Sequence, residues 1–166
     1  MRKELDELLC EKYPKIFRDR NAPMNQTCMC WGFDCGDGWF NIIDALCDNI
    51  QSHIDGIERF RVSTIKWNEN LNDPDFEWSA YYASEFVERE ERPVPELLDQ
   101  VVAVQVKEKF GTLRFYYNGG DDYIDGLVSM AESMSAVTCE VCGNPGSSTT
   151  GGWIRTLCEE HKKEEQ

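Results

Sequence analysis

Four residues near the C-terminus constrain this chain more than any others. Cys139-x2-Cys142 is followed by fifteen intervening residues and then by Cys158-x2-His161. A two-residue spacer lets both side chains of a pair turn toward one point, and Gly143, Pro145 and Gly146 supply the tight turn behind the first pair. Two such pairs at this separation form the pattern of a zinc site of Cys3His type. A helix over 157–165 would put Cys158 and His161 on one face at i and i+3. Residues 147–156, with Trp153 and Ile154, suit a small hairpin. Knuckle, hairpin and helix in that order describe a treble-clef-like finger. Because all four ligand positions are filled by protein, the expected cofactor is one structural Zn2+ in a closed site. Such a lobe has almost no core of its own. Zinc binding, worth about 10–16 kcal/mol in finger peptides, would be what folds it. The competing reading is incidental free thiols beside a surface histidine.

The chain has eight cysteines, and an even count in a secreted protein would suggest disulfides. The opening MRKELDELLC lacks the pattern of a secretory signal, and no apolar run reaches the ~18–20 residues of a membrane span. Together with the ligand spacing, this points to a reducing cytoplasm and no membrane partner. Hydrophobic residues make up 41% of 166, enough for a packed core, so wholesale disorder is excluded. The formal net charge of −14 excludes a fold-wide phosphate-binding surface. Direct DNA or RNA binding is not expected of the finger either, since its three bases face five acids.

The patterning predicts an α+β core domain over 1–137 and a separate zinc-binding lobe over 138–166. The core domain would be a small antiparallel sheet packed with two or three amphipathic helices. Leu5, Leu8, Leu9 and Tyr13 give a helix over 1–13 that Pro14 ends. Over 37–55, Trp39, Ile42, Ile43, Leu46, Cys47, Ile50 and Ile54 form one apolar stripe, with Asp37 as N-cap and Gly56 as the stop. Residues 59–68 alternate imperfectly and predict a bulged strand, and 76–87 suit strand or helix equally. Residues 101–107 and 112–117 predict a hairpin turning at Lys109-Phe110-Gly111. Asp121 or Asp122 then caps a helix with Ile124, Leu127, Val128, Ala131 and Met134 on one face.

Two further segments are candidate sites. Cys28 to Trp39 holds three cysteines, three glycines and the aromatics Trp31, Phe33 and Trp39. Cys28, Cys30, Cys35 and Cys47 could hold a second metal, but their spacing offers no matched pair. Trp31, Trp39 and Asp37 could line a ligand pocket at a helix start, although Asp34 and Asp37 would repel a phosphate. The plain alternative is a tightly packed turn with buried thiols. The second segment is the hairpin. Residues 21–100 carry a net −11, whereas 101–120 carry Lys107, Lys109 and Arg114 against Glu108, a net +2. Those cations beside Phe110, Phe115, Tyr116 and Tyr117 could take a nucleotide or an acidic partner, or simply pair with acids of the same chain. No constellation for catalysis emerges: no histidine completes a site beside Asp34, Asp37 and Asp44.

Tyr13-Pro14-Lys15-Ile16-Phe17, the run Trp31–Trp39, the run Val106–Tyr116 and the C-terminal Cys139…His161 motif together resemble a family of small proteins of tailed bacteriophages and prophages. The resemblance spans most of the chain and is weakest over 68–100. It implies a source, the host bacterial cytoplasm, and no particular activity. The expectation is therefore a non-enzymatic, zinc-stabilised phage accessory protein that binds and inhibits a host bacterial protein, such as a defence factor. The alternatives are a sponge for a nucleotide-type immune signal and, less favoured, a zinc-finger regulator of nucleic acid.

Overall fold

The computed structural model describes residues 1–79, 81–83, 89–149 and 152–164. Helix α1 (Lys3–Lys12) leads to two 3-10 turns, Cys28–Trp31 and Asp37–Trp39, and then to the long helix α2 (Phe40–Leu71). Strands β1 (Val102–Lys109) and β2 (Thr112–Asn118) precede helix α3 (Asp122–Ser135). Two-residue strands β3 (Ser147–Ser148) and β4 (Thr156–Leu157) and helix α4 (Glu159–Glu164) complete the order. The architecture is α+β with small antiparallel sheets, as the patterning predicts. Among the described residues no helix is long and apolar enough to cross a membrane.

The chain divides into two compact units, Met1–Ser52 with Asp99–Gln166 and His53–Leu98. In the first unit β1 and β2 pair with Lys107 opposite Arg114 and Lys109 opposite Thr112. The turn between them places Phe110 at φ 55° and Gly111 at φ 77°. Two successive positive φ values are what a primed hairpin turn needs to match the strand twist. The outer edge of β1 is covered. The Asp34 amide donates to the Val106 carbonyl at 3.0 Å, the Glu108 amide donates to the Asp34 carbonyl at 2.7 Å, and the Ala103 amide donates to the Ile16 carbonyl. An open strand edge invites pairing with other chains, and here the N-terminal segment occupies it. The core is formed by Leu9, Ile16, Trp39, Ile43, Ile50, Val106, Leu113 and Ile124, all fully buried. Each large side chain removed from water contributes about 1.5–3 kcal/mol. Asp121 caps α3 by accepting from the Ile124 amide at 3.1 Å.

Four expectations need correction. Asp37 does not cap α2: it lies in the preceding 3-10 turn, where its carboxylate accepts from the Arg2 amide at 2.7 Å and pairs with the Arg2 guanidinium at 2.9 Å. Gly56 does not stop α2, which runs on through it. Glycine in a helix interior costs about 1 kcal/mol, too little to end a long helix. Residues 59–68 are helix, not strand. Finally, residues 138–166 are not a free-standing lobe; they belong to the same compact unit as the N-terminal segment.

The second unit explains the misread strand. Residues 89–98, which form neither helix nor strand, run beside α2 and are held by polar side chains rather than by a hydrophobic stripe. Asn68 donates to the Arg92 carbonyl and accepts from the Arg92 amide, at 2.8 and 2.9 Å. The Trp67 indole donates to the Glu90 carbonyl at 3.0 Å, and Arg61 donates to the Pro95 carbonyl. Arg92 lies 3.7 Å over the Trp67 ring, and Trp67 meets Trp78 and Tyr82 edge-on at 4.9 and 4.8 Å. Of the undecided stretch 76–87, residues 76–79 and 81–83 lack regular helix or strand; 80 and 84–87 lie outside the described residues.

Candidate metal centre

The knuckle forms because backbone groups close it. The Cys139 amide donates to the Asn144 carbonyl at 2.7 Å, and the Gly143 amide donates to the Cys139 carbonyl at 2.9 Å. Gly143 sits at φ 78°, a conformation that side chains other than glycine rarely adopt. β3 and β4 pair antiparallel and return the chain to Cys158. Helix α4 then carries His161, with the Lys162 amide donating to the Cys158 carbonyl at 3.0 Å.

One donor atom from each of Cys139, Cys142, Cys158 and His161 lies within 4.8 Å of all the others. The Cys142 and Cys158 sulfurs are 3.8 Å apart. His161 Nδ1 lies 3.2 Å from the Cys158 sulfur and 3.5 Å from that of Cys139. A tetrahedral ion with ~2.3 Å metal–sulfur bonds has sulfur–sulfur edges of about 3.8 Å and slightly shorter sulfur–nitrogen edges. The four side chains therefore fit one metal ion, and three thiols with one imidazole are a donor set compatible with zinc.

The electrostatics favour thiolate at two of the three cysteines. Burial alone would raise the Cys139 thiol, but the backbone amides of Cys142, Cys158 and Val141 outweigh it and bring it down to about 6. Cys158 is also lowered, chiefly by the His161 amide. At Cys142 the Asn144 amide pulls downward, but burial and the neighbouring Cys139 and Cys158 sulfurs outweigh it, and the group moves up. The Cys158 sulfur raises His161. Three thiols and an imidazole that shift one another in opposite directions compete for protons, and a cation relieves that competition.

The centre is bolted to the rest of its unit through Glu140, a residue that the sequence reading did not single out. Glu140 is buried; its carboxylate accepts from the Gly36 amide at 3.0 Å and meets Arg155 at 3.4 Å. Its carbonyl accepts from the Gly38 amide at 2.8 Å. The Trp39 indole donates to the Thr138 carbonyl at 2.8 Å, and Thr156 donates to the Gly111 carbonyl at 2.6 Å. The close approach requires glycine: a Cβ on Gly36 or Gly38 would sit 2.2 Å from the carbonyl oxygen of Glu140 or Cys139. The glycine pair flanking Asp37 was the available signal.

The other candidates separate. Trp39 is fully buried and serves the core and the Thr138 bond, so it is no ligand face. Trp31 is exposed and lines a shallow pocket of about 660 Å³ with Cys28 and Asp34. Cys35 and Cys47 are buried, while Cys28 and Cys30 are half-buried. Among the described residues, the C-terminal quartet is the cluster that brings three or more metal donors together. On the hairpin, Arg114 is taken up by Glu132 of α3 at 3.5 Å, and Lys107 lies over the Tyr116 ring. Lys109 lies over Phe110 at the tip, where an open pocket of about 710 Å³ is lined by both residues with Trp153 and Ile154. Comparison of the chain with protein-family models, with curated proteins and with solved structures finds no match.

Proposed function

We propose that the chain carries one structural zinc ion in a treble-clef-like finger and acts as a non-enzymatic binding protein. The resemblance of its motifs to small phage and prophage proteins makes the host bacterial cytoplasm the proposed setting and a host protein the proposed target. The observation that carries this reading is the closed Cys3His quartet bolted through Glu140 to Gly36 and Gly38. All four corners of the tetrahedron are protein donors, which leaves no open position for substrate and gives the ion a structural role. When bound, zinc supplies a cross-link between knuckle and helix α4. The chain's own residues then hold the knuckle against the Asp37–Trp39 turn through Glu140 and β4 against the hairpin tip through Thr156.

The test has two arms. Metal analysis of protein purified without chelator should give one zinc per chain. A tagged chain expressed in the bacterial host should retain one stoichiometric protein partner, and Cys142→Ser should lose both metal and partner. Zinc without any partner protein would remove the binding role and keep the metal.

A second reading has one observation in its favour. Exposed Phe110 and Trp153 flank Lys109 in the hairpin-tip pocket, an arrangement suited to stacking a nucleobase. A thermal-shift titration with cyclic and ADP-ribose-type nucleotides tests it, since saturation at about a hundred times Kd stabilises by about 2.7 kcal/mol.

A further inference from the structure

Helix α3 is apolar on two sides, and its fold uses one of them. Ile124, Val128, Ala131 and Ser135 are buried. On the other side Tyr123, Met130, Met134 and, just past the helix, Val137 are 54%, 57%, 47% and 62% exposed. Leu127 completes that stripe at helical spacing and is half-buried. Beside it, Ile42, Ala45 and Asn49 of α2 form the opposite wall of an open groove of about 490 Å³, with Leu127, Met130 and Met134 as its near wall. The groove lies within the first compact unit.

The dimensions and chemistry suit one occupant. Leu127 to Met134 covers about 10 Å of helix axis. That matches a ligand helix presenting anchors at i, i+3 or i+4, and i+7. Methionine walls adapt to different anchor shapes because the side chain is unbranched and polarisable. The surrounding charge has one sign. Residues 40–52 of α2 contain Asp44 and Asp48, α3 contains Asp122, Asp125 and Glu132, and neither stretch holds a lysine, arginine or histidine. Asp44 is neutralised by Lys12 and Glu132 by Arg114. Asp125 lies on the far face of α3, where it accepts from the Tyr117 hydroxyl, but Asp48 and Asp122, within a chain of net charge −14, leave the field negative. A second copy of this chain would bring like charge to like charge, whereas a basic helix would gain from it.

We propose that the α2–α3 groove is a docking site for a basic amphipathic helix of a partner protein. The proposal rests on the binding role above and assigns it a surface and a partner chemistry.

The test uses the zinc-loaded full chain and two synthetic peptides of about 18 residues, five helical turns. Both consist of leucine and lysine; one places leucine at i, i+3, i+4 and i+7, and the other has the same composition scrambled. The patterned peptide should bind at least tenfold more tightly than the scrambled one by calorimetry. Raising salt from about 50 to 300 mM should weaken it severalfold. The double variant Met130→Ser/Met134→Ser changes two exposed side chains, so it should fold normally and lose at least tenfold in affinity. Phe110→Ser/Trp153→Ser, at the other exposed apolar patch, should bind like the parent. Equal binding of the two peptides would overturn the proposal. So would a double Met variant that binds like the parent, or a dimer in sedimentation that this variant dissolves. Retention of one zinc in every sample separates failure of the groove from failure of the metal reading.

Discussion

Cys142 is the exposed member of the quartet, so its replacement by serine removes a ligand and almost no apolar contact. The expected outcome is a chain with less than a tenth of the zinc, measured by mass spectrometry, and a finger whose amides exchange rapidly. Buried thiols elsewhere behave in the opposite way. Burial pushes Cys35 up to about 12 and Cys47 well above its ordinary value. Both stay neutral at pH 8 and resist alkylation in the native chain. The sign of the linkage follows: these groups titrate near 9 when unfolded and higher when folded. Their contribution is complete below pH 9 and is lost as pH rises toward 12. Urea midpoints should therefore fall between pH 9 and 11, with no such fall between pH 7 and 8.5. At this scale the sequence showed the quartet that could hold a metal ion, because ligand spacing is local. It hid Asp6 and Glu140. Asp6 reads as a solvated acid on a surface helix, yet it is buried and accepts from Arg20 and from the Phe33 amide. Partners far away in the chain leave no local pattern.

Helices and strands were legible where apolar periodicity set them. The hairpin, α1 and the Asp121-capped α3 lie close to their predicted places. The continuation of α2 was hidden because the stripe Arg61, Thr64, Trp67 and Asn68 is mostly polar. Three of these residues hold backbone carbonyls of Glu90, Arg92 and Pro95. Gly56 tests that continuation. A methyl group there would meet little besides the far end of Arg59, at 3.9 Å. Gly56→Ala should stabilise the chain by about 0.5–1 kcal/mol in urea unfolding, where a helix stop would be damaged by the change. Gly38→Ala should do the reverse, costing about 1–3 kcal/mol, because the new methyl group meets backbone that cannot move aside cheaply.

Across the whole molecule, the metal centre joins distant parts of the chain. Glu140 and Thr138 receive the Gly36, Gly38 and Trp39 donors from more than ninety residues away. Thr156 reaches the hairpin turn at Gly111. Chelation should therefore do more than unfold residues 138–166. It should also loosen the 36–39 turn and expose Trp39, visible as a red shift of tryptophan emission together with a lower melting temperature. The expectation of a separable lobe failed here because a boundary drawn from composition cannot see the Glu140 contacts.

The most direct measurement is zinc-edge X-ray absorption on the intact chain, purified without chelator. The expected result is one zinc per chain in a shell of three sulfurs at ~2.3 Å and one nitrogen at ~2.0 Å. A shell without an imidazole, a shell completed by water oxygen, or a folded chain with no zinc would contradict it.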